Sequence, residues 1–199
     1  MPQPLFNSAK NILPSDGEAF LFKNFFSLAE SDRYLALLSE EIEWKQEPIK
    51  IYGKEVLQPR LTAFYGDTDK EYRYSGTTMQ PHQWTNSLLE IREKVEALAG
   101  VKFTSALLNF YRDGKDSMGW HRDNEKVLGI SPVIGSVSFG AARIFQFRNY
   151  KQRNMVIPVE LTHGSFLLMK GETQHHWQHQ LPKMKTFGGR INITFRIIN

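Results

Sequence analysis

Arg190-Ile-Asn-Ile-Thr-Phe-Arg-Ile197 alternates polar and apolar residues without a break. Successive side chains on a β-strand point to opposite faces. Arg190, Asn192, Thr194 and Arg196 therefore share one face, and Ile191, Ile193, Phe195 and Ile197 share the other. An ordinary edge strand shows the same period, but its wet face is usually rich in Lys and Glu. Here both are absent, and two arginines stand six positions apart on one face. At ~3.3 Å per residue their backbones lie about 20 Å apart. On a curved strand, long arms leaning inward can bring both forked guanidiniums onto the carboxylates of one short acid. The segment is expected to wall a site for a dianionic acid.

The period-2 pattern continues upstream. Strand-like stretches occupy 103–111, 118–122, 132–139, 142–148, 155–161, 165–170 and 175–181, most of them separated by Gly, Pro, Asn or Asp. Before Gly100 the spacing is mostly helical. Ser27 and Glu30 form a capping-box pattern ahead of Leu28, Tyr34, Leu35, Leu38 and Ile42. A second helix, from Thr85 or Asn86 to Leu98, carries a stripe of Leu88, Ile91, Val95 and Leu98 that Gly100 ends. Between the helices, Ile49 to Leu57 reads as a hairpin turning at Gly53, and Arg60 to Tyr65 as one more strand. Residues 1–26 read as irregular lead-in with short extended pieces. Two helices followed by about eight short strands predict an α+β, mainly β chain: a sandwich or jelly roll with two bracing helices on one side and an N-terminal hairpin.

A chain of 199 residues is expected to form one domain and to bury about 70% of its unfolded surface. There are no repeats or low-complexity tracts, and there is no cysteine. Disulfides, thiolate zinc and a cysteine nucleophile are thereby excluded. No stretch approaches the ~20 apolar residues needed to span a bilayer, and Met1 to Lys10 lacks the pattern of a signal peptide. The expectation is a monomer with no membrane partner, cytoplasmic, or nuclear if the source is eukaryotic. The net charge of +4 is unevenly spread. From Arg143 onward there are nine Lys and Arg against two acidic residues, whereas the first 142 residues carry sixteen against nineteen. A basic C-terminal half suits a polyanionic partner.

Trp120-His121-Arg122-Asp123 carries the first metal signal. His121 and Asp123, two apart, project to one side and offer an imidazole nitrogen and a carboxylate oxygen. One more histidine would complete the two-His, one-carboxylate set of non-heme Fe(II) oxygenases, which leaves open positions on the ion. The remaining candidates are His163, His175, His176 and His179. His163 opens a turn and is the poorest. His175 and His179 share a face of the expected 175–181 strand, with His176 opposite. Spacing does not choose between them.

Taken in order, Asn109-Phe-Tyr111, His121-Arg-Asp123, Trp177-Gln-His179-Gln-Leu-Pro182 and Arg190-x-Asn192-x-Thr194-Phe195-Arg196 closely resemble the AlkB family of nucleic-acid dealkylases. The likeness runs from about residue 47 to the C-terminus and is nearer to the subgroup of the human DNA-repair homologues than to the founding bacterial enzyme. It implies a double-stranded β-helix (jelly roll), with residues 1–46 as an N-terminal extension and helix, 47–100 as a nucleotide-recognition lid and helix, and 101–199 as the core. It implies His179 as the third Fe(II) ligand beside His121 and Asp123. Asn109, Tyr111, Arg190, Asn192, Thr194 and Arg196 are implied to bind 2-oxoglutarate, with O2 as the second co-substrate. Tyr65, Gly66, Asp67, Asn124 and Glu125 are implied to line a flipped-base pocket, although the family often has Asp at the position of Asn124. Tyr65 has core packing as its other reading. Tyr52, at the hairpin tip between Lys50 and Lys54, is the expected wedge filling the gap left by an extruded base, with packing under the hairpin as its other reading. The implied reaction is oxidative demethylation of 1-methyladenine and 3-methylcytosine in DNA, single- or double-stranded, with RNA as the alternative polymer. Its products are formaldehyde, succinate and CO2. The rival readings are a 2-oxoglutarate-dependent hydroxylase of a protein or small molecule, and a metal-holding jelly roll without turnover.

Overall fold

The computed structural model describes residues 9–51, 54–67, 72–74, 77–185 and 188–198. Tyr52, with Gly53, lies outside the described residues. Fourteen strands and three helices are described, in the order β1 (Glu18–Phe22), α1 (Leu28–Glu41), β2 (Pro48–Ile51), β3 (Lys54–Leu57), β4 (Leu61–Gly66), β5 (Tyr72–Tyr74), β6 (Thr77–Met79), α2 (Asn86–Ala99), β7 (Ser105–Tyr111), β8 (Met118–His121), β9 (Ile134–Gly140), β10 (Arg143–Asn149), β11 (Val156–Leu161), β12 (Ser165–Lys170), α3 (Thr173–His176), β13 (Trp177–Leu181) and β14 (Arg190–Arg196).

Two antiparallel sheets face each other, as in a jelly roll. The larger has the order β1-β12-β9-β14-β7-β4 and the smaller β11-β10-β13-β8. β2–β3 and β5–β6 form separate two-stranded ribbons. β14 is an interior strand, paired with β7 and β9 on its two sides. Both of its faces are buried, which explains the absence of Lys and Glu. Ile191, Ile193 and Phe195 are inaccessible, and Arg190, Asn192, Thr194 and Arg196 are each at most 8% exposed.

The helices cover the outer face of the large sheet. α1 starts at a complete capping box: Glu30 N–H donates to Ser27 Oγ, and Ser27 N–H donates to Glu30 Oε2. Tyr34 and Leu38 turn inward, while Leu28, expected on the apolar stripe, is exposed. α2 is capped by Thr85 and ends at Gly100, whose φ of 72° is left-handed and suits glycine. Leu88, Ile91 and Val95 pack with Tyr34 and Leu38 against Val137, Phe139, Ile191, Ile193 and Phe195. A second cluster, including Leu13, Ile134, Phe147, Leu161, Leu167 and Trp177, forms a separate part of the core. Filling one part of a sandwich with large side chains leaves a polar cavity where the facing residues are polar.

Three elements differ from the sequence reading. Residues 18–22 form a regular strand, β1, because pairing with β12 satisfies their backbone. The β5–β6 ribbon was not expected. Residues 173–176 are a helical turn, so the strand expected from 175 begins at Trp177 and His175 shares no strand face with His179.

Candidate active site

β8 delivers His121 and, just beyond its end, Asp123; β13 delivers His179. These strands are antiparallel neighbours, and His121 stands directly opposite His179. Their ring centroids are 4.2 Å apart, and His121 Nε2 is 3.7 Å from Asp123 Oδ1. One ligand atom from each of the three residues lies within 4.8 Å of those from the other two. Among the described residues no other trio of His, Asp or Glu brings donors this close. His175 Nε2 instead hydrogen-bonds Ile130 O, His176 lies near Glu172, and His163 bridges Gly140 N and Asp32.

The surroundings leave these groups in the protonation states that metal binding requires. His121 Nδ1 is 2.8 Å from Gly119 O. Placing its proton on that contact leaves the Nε2 lone pair free. Burial pulls His179 down to about 3, with His121 adding to the effect and Asp123 opposing it. Burial lowers His121 as well, against the pull of Asp123. Both imidazoles are therefore neutral bases at neutral pH. Burial alone would raise Asp123, but Arg196 foremost, and then the two histidines, hold it well below the usual carboxylate range. Arg196 Nη2 donates to Asp123 Oδ2 at 2.7 Å, and Asp123 N–H donates to Gln174 Oε1 at 3.0 Å.

Asp123 Oδ1 and His179 Nδ1 are buried without a hydrogen-bond partner among the described residues. Bare polar atoms at such depth are costly unless an ion or water satisfies them. With an N,N,O donor set around them, the residues fit a divalent first-row metal.

Arg190, Asn192, Thr194, Arg196, Asn109 and Tyr111 line one pocket of about 530 Å³, mouth included, together with His121, Asp123 and His179. The two arginines do lean toward a shared space, Arg196 at the carboxylate end and Arg190 at the other. Arg190 donates from Nη2 to Ser138 Oγ at 2.8 Å, and its Nε has no partner among the described residues. Burial lowers it to about 10, so it remains a cation at neutral pH. An amide network joins the walls: Asn192 Oδ1 accepts from Thr194 Oγ1 and Asn109 Nδ2, and its Nδ2 donates to Ser136 Oγ. A buried space with a cation at its far end fits a short diacid that chelates at the metal end.

Several contributors were not read from the sequence. Arg60, 2% exposed, donates from Nε to Asn109 Oδ1 at 2.7 Å. Phe145 stacks on His179 at 5.3 Å. Gln174 holds the Asp123 backbone. Each comes from an element whose neighbour only the fold supplies.

The residues expected around the flipped base are not in that pocket's lining. Tyr65 sits opposite Ala106 on the helix-facing side of the large sheet and belongs to the apolar core. Asp67 Oδ1 accepts from Trp84 Nε1 at 2.9 Å and lies near Arg92. The Gly66 N–H donates to His82 O. Asn124 is exposed, and Glu125 is half-buried at the start of a 3-10 turn, Lys126–Leu128.

Residues 18–196 match the model of the 2OG-Fe(II) oxygenase superfamily. The chain is 40% identical over 191 residues to the Rattus norvegicus alpha-ketoglutarate-dependent dioxygenase alkB homolog 3, covering 89% of this chain and 63% of the relative. It is 39% identical over 184 residues to the DNA oxidative demethylase ALKBH2 of Bos taurus, covering 87% of this chain and 66% of the relative. The chain thus spans a little under two thirds of each of these curated relatives. With the Homo sapiens DNA oxidative demethylase ALKBH2 the identity is also 39%, over 87% of this chain and 70% of the relative. A solved structure, that of OsALKBH1, superposes with a TM-score of 0.66 at 17% identity, covering 90% of this chain and 96% of that one, and so shares the fold. A jelly roll that brings two histidines and an aspartate beside a pocket with two arginines, matched from residue 18 to residue 196, belongs to the AlkB family of the 2OG-Fe(II) oxygenase superfamily.

Proposed function

We propose that this protein oxidatively demethylates N-methylated bases in DNA, with His121, Asp123 and His179 holding Fe(II) and Asn109, Tyr111, Arg190, Asn192, Thr194 and Arg196 holding 2-oxoglutarate. The observation that carries the reading is that all nine side chains line one pocket. When bound, the iron would let O2, with 2-oxoglutarate giving up two electrons to become succinate and CO2, hydroxylate the N-linked methyl group, which then leaves as formaldehyde.

The chain's own residues do the rest. Arg190 meets the far carboxylate as a buried cation with a free Nε. Arg196 fixes Asp123 through one carboxylate oxygen and leaves the other turned toward the histidines. Asn109 and Asn192 orient the acid between these ends, and Leu107, Met118, Phe145 and Leu181 keep water from the reacting centre. Phe145 also fixes the His179 ring plane.

The relatives named DNA oxidative demethylase support DNA as the substrate. The charge of the C-terminal half supports the same reading, since a polyanion needs cations beside the site. Glu125 is the proposed acceptor for the exocyclic amino group of methylated adenine or cytosine, and Tyr52 the proposed wedge. On the 149–153 loop, Asn149 Oδ1 accepts from the Lys151 and Gln152 backbone N–H groups. This turn holds Lys151 and Arg153 outward, and both are exposed. Replacing both with Gln is expected to lower the slope of log affinity against log salt by about 2, measured by fluorescence anisotropy with a methylated duplex. An unchanged slope removes the loop from the interface.

Incubation with Fe(II), 2-oxoglutarate and O2 across a panel of methylated oligonucleotides tests the function. Mass spectrometry is expected to find unmodified base, with formaldehyde and succinate formed in equal amounts. Succinate without any change in the oligonucleotides refutes the nucleic-acid reading and favours a protein or small-molecule hydroxylase.

A further inference from the structure

Arg143, at the start of β10, is 1% exposed and carries its charge without a carboxylate in direct contact among the described residues. Its guanidinium donates to three backbone carbonyls: Asp113 O at 3.1 Å, Asp116 O at 2.9 Å and Pro182 O at 2.8 Å. Its Nε has no partner among the described residues. The nearby acid Asp116 is engaged by Arg112, through Nε at 2.8 Å and Nη2 at 2.9 Å. A buried cation whose direct contacts are all backbone carbonyls, with Asp113 and Asp116 attracting it only at longer range, is an expensive arrangement. Apolar residues could tie the same loops together at lower cost.

The position of Arg143 suggests what the charge is for. It sits 5.7 Å from the centroid of the Tyr111 ring, and Arg190 sits 5.3 Å from the same ring. Tyr111 lines the acid pocket; Arg143 does not. The phenol is thus flanked by two guanidiniums, one in the pocket and one behind it. The only acidic side chain in the lining is Asp123, at the metal end and already paired with Arg196. At the far end the lining has one cation, Arg190, and no acid; Arg143 stands behind Tyr111, and of the acids near it Asp116 is already paired with Arg112. The loops clamped by Arg143 are also the ones that matter: 113–116 follows the strand bearing Tyr111, and Pro182 follows the strand bearing His179.

We infer that Arg143 is a positioning residue for the co-substrate, acting through Tyr111 and adding a second buried charge that makes the far end of the pocket selective for a dianion. This rests on the co-substrate reading above. Removing the charge is expected to weaken 2-oxoglutarate while leaving a 2-oxo acid without the far carboxylate almost unaffected. For charges several ångströms apart in a partly buried setting the change is on the order of tenfold.

The test is calorimetric titration of the Mn(II)-loaded protein with 2-oxoglutarate and with 2-oxopentanoate, which keeps the chelating end and lacks the second carboxylate. Arg143→Met is expected to cut the diacid-to-monoacid affinity ratio about tenfold, and Arg143→Lys to restore most of it even where both variants melt earlier. A parallel loss for both acids, or equal ratios in Met and Lys variants, makes Arg143 a purely structural clamp and overturns the inference. Arg190→Gln provides a check that does not depend on Arg143 variants folding. It is expected to retain several-fold preference for the diacid from Arg143 alone, and a ratio of one overturns the inference. Wild-type protein that binds neither acid overturns the co-substrate reading and this inference with it. Wild-type protein that binds both acids equally overturns the inference alone.

Discussion

Asp123→Asn is expected to abolish turnover and divalent-metal binding together, in a protein that still folds but melts earlier because Arg196 loses its buried counter-charge. The substitution keeps the shape of the side chain and the hydrogen bond from Asp123 N–H to Gln174. It removes the one anionic donor among the three side chains that converge on the site. Two neutral imidazoles and an amide make a poor cage for a hard divalent cation. Losing several kcal/mol of metal-derived stabilisation corresponds to at least about a thousandfold in rate. Calorimetry with Mn(II) and formaldehyde release from a methylated oligonucleotide measure the two effects. A variant that retains wild-type metal affinity would remove Asp123 from the ligand set, and with it the oxygenase chemistry of this pocket.

How much of this could be read before the fold was known differs from residue to residue. The alternation in 190–197 carried most, because a period of two with arginines on the polar side describes both the strand and the pocket it walls. The strand limits along 103–198 were also legible, since Gly, Pro, Asn and Asp punctuate them. His179 was not singled out by spacing, because its partnership with His121 depends on β8 lying next to β13, a pairing between residues far apart in sequence. Residues 175 and 176, the end of the turn at 173–176, were read as strand because His175 and His176 follow no apolar period. Tyr65 shows the limit from the other side. Five of the six residues of β4 are buried, so neither face stands out. Only the register with β7 reveals that Tyr65 faces the helices. Arg60 and Arg143 look in sequence like ordinary surface cations, and burial alone marks them otherwise.

The second large effect concerns Arg196, and it inverts a pH dependence. Arg196 and Asp123 are 4% and 2% exposed, and their contact of 2.7 Å is the only salt bridge with both side chains buried among the described residues. Removing one partner of such a pair leaves a buried charge uncompensated and costs about 3–5 kcal/mol. Arg196→Met is therefore expected to lower the melting temperature of the metal-free protein markedly at pH 7. The sign of the pH effect follows from Asp123. In the wild type its carboxyl lies below the ordinary range, so it contributes stability above the unfolded value of ~3.9 and loses it as pH falls toward the folded value. Without Arg196 the largest charge holding it down is gone, and burial is left opposed mainly by the smaller influence of the two histidines. The folded-state value then rises above ~3.9. The variant is penalised at neutral pH and recovers as Asp123 takes up a proton. His121 and His179, both lowered by burial, destabilise the metal-free protein as pH falls below ~6.5, in wild type and variant alike. The informative quantity is thus the difference in melting temperature between the two proteins in the presence of a chelator. That gap is expected to be widest at pH 7 and to narrow steadily toward pH 4.5. A gap that stays constant with pH would mean that Arg196 acts by packing alone, and that Asp123 owes its ionised state to something other than this pair.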